Sequence, residues 1–206
     1  TKHGGTYSDP VTHKPRQYDF RTTIDLGGKS VMMAIECKNL SHHSPMVVCG
    51  RDRTDDESFH YLVESRNGSF QHRSLQVHGK SAISLCVSGS ESLYPPRSFV
   101  GKSIVRLKKD NKGITALPDS DIHDRWSQAL ASATGLVEDA SRLADKSGSS
   151  KHQVAILPVV VIPDDTLWTA YYSNDGTLDS APIQVKKAEL YLSTKMRYGW
   201  EKLNTH

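Results

Sequence analysis

The sequence has no long apolar run: the longest, 154–162, has nine residues with Pro158 in its middle, far short of the roughly 20 a membrane-spanning helix needs. No membrane partner is therefore expected. The opening residues, Thr1-Lys2-His3-Gly4-Gly5, lack the apolar stretch of a secretory signal. Cysteine is scarce as well. Cys37, Cys49 and Cys86 are an odd set with no CxxC spacing, so reduced thiols in a cytoplasmic protein are the expectation, not a disulfide framework. The ten histidines contain no HxH, HExxH or mixed Cys/His pattern, which removes the common zinc arrangements. A phosphate-binding glycine loop is missing too: Gly101-Lys102-Ser103 has the ending of one, but Pro96 stands where its first glycine belongs. Charge of one sign is not in large excess. A net charge of +3 permits a nucleic-acid partner without demanding one.

What is present describes an ordinary globular chain. With 206 residues, 24% charged and 36% hydrophobic, there is material for one well-buried α/β domain over 1–206. Residues 1–16 show no periodicity and are read as irregular. The start at Thr1 instead of Met suggests a processed or trimmed parent. Strands are expected over 45–50, 81–87, 99–107, 154–161, 167–172 and 183–192, and a short helix over 55–64. Residues 121–144 give the best helix: Ile122, Trp126, Ala129, Ala133, Leu136, Val137, Ala140 and Leu143 recur at three- and four-residue steps and make one apolar stripe. Pro118 to Asp121 supply start signals, and Gly148 lies past the end. Residues 154–161 are apolar at both parities, which suits a strand at the centre of a sheet covered by helices.

The segment 17–39 carries the chemistry. Gly27-Gly28 between two strand-like stretches suits a two-residue hairpin turn, where both central positions need positive φ. Facing residues then have numbers that sum to 55: Tyr18 faces Cys37, Phe20 faces Ile35, Thr22 faces Met33 and Ile24 faces Val31. That largely apolar face is expected to be the core side. On the other face Asp19 lies across from Glu36 and Gln17 across from Lys38, with directly opposed Cβ atoms about 4.5–5.5 Å apart.

Two carboxylates and an ammonium would thus meet at one end of the hairpin. Close carboxylates repel unless a cation offsets them, and Mg²⁺ is suited because it takes oxygen ligands from one or two carboxylates and keeps waters. Mn²⁺ can substitute. The backbone carbonyl of Cys37, between the two acting residues, is a further candidate ligand. A lysine beside such an ion can orient a water and stabilise charge on a phosphate.

Asp19, seventeen residues ahead of Glu36-Cys37-Lys38 at the end of the apolar run Val31-Met-Met-Ala-Ile35, resembles the motif of the PD-(D/E)XK nuclease superfamily, the restriction-endonuclease-like fold. The resemblance covers about half the chain. It implies a central mixed β-sheet flanked by helices, with 45–50 as third core strand, 121–144 as the long helix and 154–161 as the next strand. Residues 52–118 would be an insertion. It implies Mg²⁺-dependent hydrolysis of phosphodiesters, DNA favoured, with Asp19 and Glu36 as ligands and Lys38 assisting. The chain departs from the family in having Tyr18 where proline is usual, and in offering no helix before the first strand. That helix is expected upstream in a longer parent chain, and a homodimer is a further possibility.

Several blander readings compete. Glu-x-Lys is short, and a charge pair on a strand is often a solvated face. An inactive nucleic-acid-binding or assembly domain and an RNA nuclease are the rival functions. Asp25 shares the face of Asp19 but lies about 20 Å away, near the turn, where turn chemistry explains it. The basic stretch Arg97, Lys102, Arg106, Lys108, Lys109 and Lys112, with Gln17 and with Gln128 on the long helix, is the candidate nucleic-acid surface.

Overall fold

The computed structural model describes residues 1–9, 12–66, 75–77, 80–117, 120–141, 151–191, 195–196 and 203–204. The strands are β1 (Lys2–Ser8), β2 (Pro15–Asp25), β3 (Lys29–Cys37), β4 (Met46–Asp52), β5 (Phe59–Arg66), β6 (Leu75–Val77), β7 (Lys80–Ser88), β8 (Phe99–Asp110) and β9 (Gly113–Leu117). After helix α1 (Ser120–Ser141) come β10 (Lys151–Val161), β11 (Leu167–Tyr171), β12 (Ile183–Gln184) and the small pair β13 (Lys195–Met196) and β14 (Leu203–Asn204). A seven-stranded sheet has the order β1-β2-β3-β10-β5-β7-β6, and a five-stranded one the order β12-β11-β4-β8-β9.

The turn residues set the register of the central hairpin. Gly27 and Gly28 have φ of 70° and 82°, and the ladder runs from Asp25↔Ser30 through Ile24↔Val31 and Thr22↔Met33 to Phe20↔Ile35. This is the register read from the turn. Asp25 plays the local role expected of it, its Oδ1 accepting the Gly27 N–H at 3.0 Å.

The buried face is not the one expected. Ser30, Met32, Ala34 and Glu36 are buried, whereas Val31, Met33 and Ile35 are half-buried and Ile24 is 45% exposed. Met32 and Ala34 pack with Ala133, Leu136, Ala140 and Val154 against α1. Apolarity alone favoured the other face; the small side chains of Ala34 and Ser30 on the strand, and of alanine on the helix, let the two backbones approach closely. On α1 the buried positions Ala129, Ala133, Leu136 and Ala140 follow the stripe read from the sequence. Ala131 and Ser132 are buried too, which widens that stripe. The side chains of Ile122, Arg125 and Trp126, and the expected helix end at 142–144, lie outside the described residues.

β10 runs parallel to β3 and antiparallel to β5, so it occupies the middle of the larger sheet, as its double-sided apolarity suggested. Only Val154 and Ala155 of its apolar run are fully buried, because one helix among the described residues covers the sheet, not helices on both sides.

Other expectations need correction. Residues 1–16 are not irregular throughout: Lys2–Ser8 forms β1, paired with β2 from Lys2↔Arg21 to Ser8↔Pro15. The segment 55–64 is not a helix. A single 3-10 turn, Asp55–Glu57, leads directly into β5, where Phe59, Tyr61 and Val63 suit a strand and pairing with β10 and β7 decides the outcome. β4 is not a third core strand beside β3; it joins the smaller sheet, parallel to β11 and antiparallel to β8. Residues 52–118 supply β5, β6 and β7 of the larger sheet and β8 and β9 of the smaller one. Of the last expected strand, 183–192, the described residues form a strand at Ile183–Gln184 and an isolated bridge from Leu190 to Gly101, and Leu192 lies outside the described residues.

The parallel pair β3/β10 passes into the parallel pair β4/β11, so the chain crosses twice between the sheets at neighbouring places. The Lys38 N–H donates to the Val161 carbonyl at 2.8 Å, and the Met46 N–H to the Thr166 carbonyl at 2.8 Å. The first of these bonds anchors the chain just past the end of β3, beside Glu36, and the second the start of β4.

One glycine is required by packing. Gly5 faces Tyr18 across the β1/β2 ladder, and a Cβ there would overlap the Tyr18 hydroxyl and come within 2.5 Å of Cζ. The ring has little room to yield, because Tyr18 is buried with Tyr7 and Ala131. Gly5→Ala is expected to destabilise the chain by about 1–3 kcal/mol, read from urea unfolding. An unchanged midpoint would show that the ring moves freely.

Candidate functional site

The β2/β3 ladder stops at Phe20↔Ile35, one pair short of Asp19 and Glu36. Beyond it, side chains replace backbone pairing. Asp19 Oδ2 accepts the Cys37 N–H at 2.7 Å, and the backbone of Asp19 lies close enough to the Glu36 carboxylate to favour its charged form slightly. The structure therefore brings Asp19 and Glu36 together at the end of the hairpin.

Glu36 is the unusual group. It is only 3% exposed, its Oε2 lies 3.6 Å from Lys38 Nζ, and its Oε1 has no hydrogen-bond partner among the described residues. Burial raises its pKa above the ordinary glutamate value, and the Asp19 charge raises it further; the Lys38 ammonium opposes both. Cys37 is exposed, and its thiol pKa is raised by desolvation first and then by the two carboxylates, with Lys38 opposing. Its amide is committed to Asp19.

Two residues that the sequence reading passed over border this cluster. Tyr7 on β1 is buried, its hydroxyl donating to the Gln128 carbonyl of α1 at 3.3 Å. Burial raises its pKa, and so do the charges of Glu36 and Asp9. Arg21, two residues from Asp19, donates from Nη2 to the Ser132 carbonyl at 2.8 Å and from Nε to Ser132 Oγ at 3.3 Å. Its guanidinium lies 4.4 Å from the Tyr18 ring centroid and 5.7 Å from that of Tyr7. Arg21 shares the parity of Asp19, so the hairpin register could have found it. Tyr7 left no such signal, because Gly4-Gly5 interrupts the apolar alternation around it.

Tyr18 does not face Cys37. It joins Tyr7 and Ala131 under the helix, on the same side as Arg21, three positions along. Regular alternation would put the two on opposite sides, so β2 rotates by one face between them. Gln17 is likewise not across from Lys38; it is exposed and pairs with Thr6 of β1.

The basic residues do not gather at the carboxylates. Lys102 forms an ion pair with Glu57 and lies 5.0 Å from the Tyr191 ring centroid. Arg106 Nε donates to Ser44 Oγ at 3.0 Å. Both sit on β8 of the smaller sheet, as does the exposed Lys108, while Arg97 is exposed in the preceding turn with φ of 64°. Lys112 is exposed in the β8/β9 turn; the Lys109 side chain is outside the described residues. Gln128 is half-buried on α1.

Among the described residues no cluster of three or more His, Cys, Asp or Glu side chains could hold a metal ion, so a cation here would rest on two carboxylates, backbone and water. No helix among the described residues is long and apolar enough to cross a membrane. Compared with known proteins, the chain matches no family model, no curated protein and no solved structure.

Proposed function

We propose that this chain hydrolyses phosphodiester bonds, DNA being the favoured substrate, with Mg²⁺ or Mn²⁺ held between Asp19 and Glu36. The observation that carries the reading is Glu36 Oε1: a buried carboxylate oxygen with no partner among the described residues, beside a second carboxylate. Such an oxygen is costly unless something satisfies it, and a hard divalent cation does so with few protein ligands. Asp19 contributes the oxygen not engaged by Cys37, and the Cys37 carbonyl is the candidate third ligand. A bound divalent cation supplies Lewis-acid polarisation of a phosphoryl oxygen and a more acidic water. Lys38, whose N–H donates to the Val161 carbonyl, places its ammonium beside Glu36, where it offsets negative charge on a phosphate and orients the attacking water. The likeness to the nuclease superfamily rests on Asp19, Glu36 and Lys38 at the end of the β2/β3 hairpin, not on the strand over 45–50, which lies in the smaller sheet.

A second reading is a domain that binds nucleic acid, or assembles with other chains, without cleaving. It is favoured by the bonds already made: Asp19 holds the Cys37 amide and Lys38 already offsets Glu36. Supercoiled plasmid and single-stranded RNA incubated with purified protein decide between these readings. Nicking that requires Mg²⁺ and stops with EDTA is expected for plasmid. Cleavage of RNA alone would change the substrate, and no cleavage of either at any Mg²⁺ or Mn²⁺ concentration would favour the binding domain.

A further inference from the structure

Asp19 stands past the last β2/β3 pair, so that ladder does not fix its position. Its neighbours Tyr18 and Phe20 pair with Gly5 and His3 of β1, and a further hold on this stretch comes from the helix. Arg21 takes a seat made of three parts: the Tyr18 ring at 4.4 Å, the Tyr7 ring at 5.7 Å, and the Ser132 carbonyl and hydroxyl. The helix gives way to it. Gly135 lies in the interior of α1, where glycine costs about 1 kcal/mol relative to alanine, and a Cβ there would come within 2.8 Å of Arg21 Nη2. Ser132, the acceptor, is fully buried. A planar guanidinium that bonds through two nitrogens while stacking on a ring has a defined direction, which a lysine cannot reproduce.

The consequence lies in β2 itself. With Tyr18 and Arg21 both drawn to the helix, the strand rotates by one face across Asp19 and Phe20, while Phe20 stays paired with Ile35. That rotation leaves the Asp19 carboxylate at the Cys37 amide, next to Glu36. We infer that Arg21 is the positioning residue of the carboxylate pair: through Tyr18 and Ser132 it sets the twist of β2 that holds Asp19 beside Glu36. Insofar as it concerns metal, this rests on Asp19 and Glu36 being the cation ligands; the geometric part does not.

Two readouts separate those parts. The first is amide hydrogen exchange at Cys37, whose N–H is held by Asp19 and not by the β2 backbone. In Arg21→Met, and in the milder Ser132→Ala, exchange at Cys37 is expected to quicken about tenfold or more relative to Ala34 in the same strand, the signature of a local opening, not a global one. Leu136→Ala, which opens the core under the same helix, should speed exchange at both amides together. Arg21→Lys should fall between wild type and Arg21→Met. The second readout is Mn²⁺ affinity by electron paramagnetic resonance, expected to drop about tenfold in Arg21→Met and less than about twofold in Leu136→Ala. Equal Cys37-to-Ala34 exchange ratios in wild type, Arg21→Met and Ser132→Ala would overturn the positioning role. If that ratio shifts as expected but wild type binds no Mn²⁺, Arg21 still positions Asp19, and it is the metal reading that fails.

Discussion

Replacing Lys38 with alanine is expected to lower Mg²⁺-dependent cleavage by about 10²–10⁴-fold, the usual loss when a positioned acid–base or charge-stabilising group is removed. Mn²⁺ affinity should stay close to that of wild type, because an ammonium is not a ligand. The contrast is with Glu36→Ala, which should lose cation binding and cleavage together. The geometry gives the reason. Lys38 Nζ lies 3.6 Å from Glu36 Oε2, close enough to meet a phosphate that a cation on Glu36 would hold, and the Lys38 N–H remains bonded to the Val161 carbonyl whatever the side chain. The fold should therefore survive, as circular dichroism would show. Parallel nicking time courses provide the check. Equal rates for wild type and Lys38→Ala would remove the lysine from the mechanism, and a variant that loses Mn²⁺ binding as well would make it a structural partner of Glu36.

A second large effect concerns stability and its dependence on pH. Glu36 has its pKa raised in the folded state, by burial first and by Asp19 second. An acid raised on folding binds more protons folded than unfolded between its two pKa values. It therefore favours the fold below the ordinary glutamate pKa, about 4.3, and that contribution is lost as pH rises through the folded value. Without metal, Glu36→Gln should thus be more stable than wild type at neutral pH by about 1–2 kcal/mol, since a buried charge with an unpartnered oxygen is replaced by a neutral amide. The advantage should shrink as the pH falls and vanish below about 4. Added Mg²⁺ should reverse the order at neutral pH by stabilising wild type alone. Urea unfolding at several pH values, with and without Mg²⁺, reads all of this. A Glu36→Gln advantage that is the same at every pH would mean that Glu36 is not raised.

The hairpin was legible because its causes are local. Gly27-Gly28 allows positive φ at both turn positions, and a two-residue turn dictates every facing pair from Asp25↔Ser30 to Phe20↔Ile35. The long helix was legible for a similar reason: apolar residues at a 3.6-residue period need a surface to cover. What misled was the rule that the more apolar face is the buried one. Met33, Ile35 and Phe20 outweigh Ala34, Ser30 and Thr23 in hydrophobicity, but a helix lined with Ala129, Ala133 and Ala140 packs closest on small residues, so fit prevailed over apolarity.

The amino-acid sequence by itself determined the hairpin, its register as far as Phe20↔Ile35 and the helix stripe, since each depends on residues within one turn, one strand pair or one helix. Only the tertiary structure decided that Glu36 is covered, that β1 supplies Tyr7, that Arg21 seats on Ser132 and Gly135, and that β4 leaves for a second sheet. Those outcomes join residues as far apart as Tyr7 and Gln128 or Arg21 and Ser132. No local propensity encodes such meetings; they follow from which surfaces fit once α1 lies across β3 and β10.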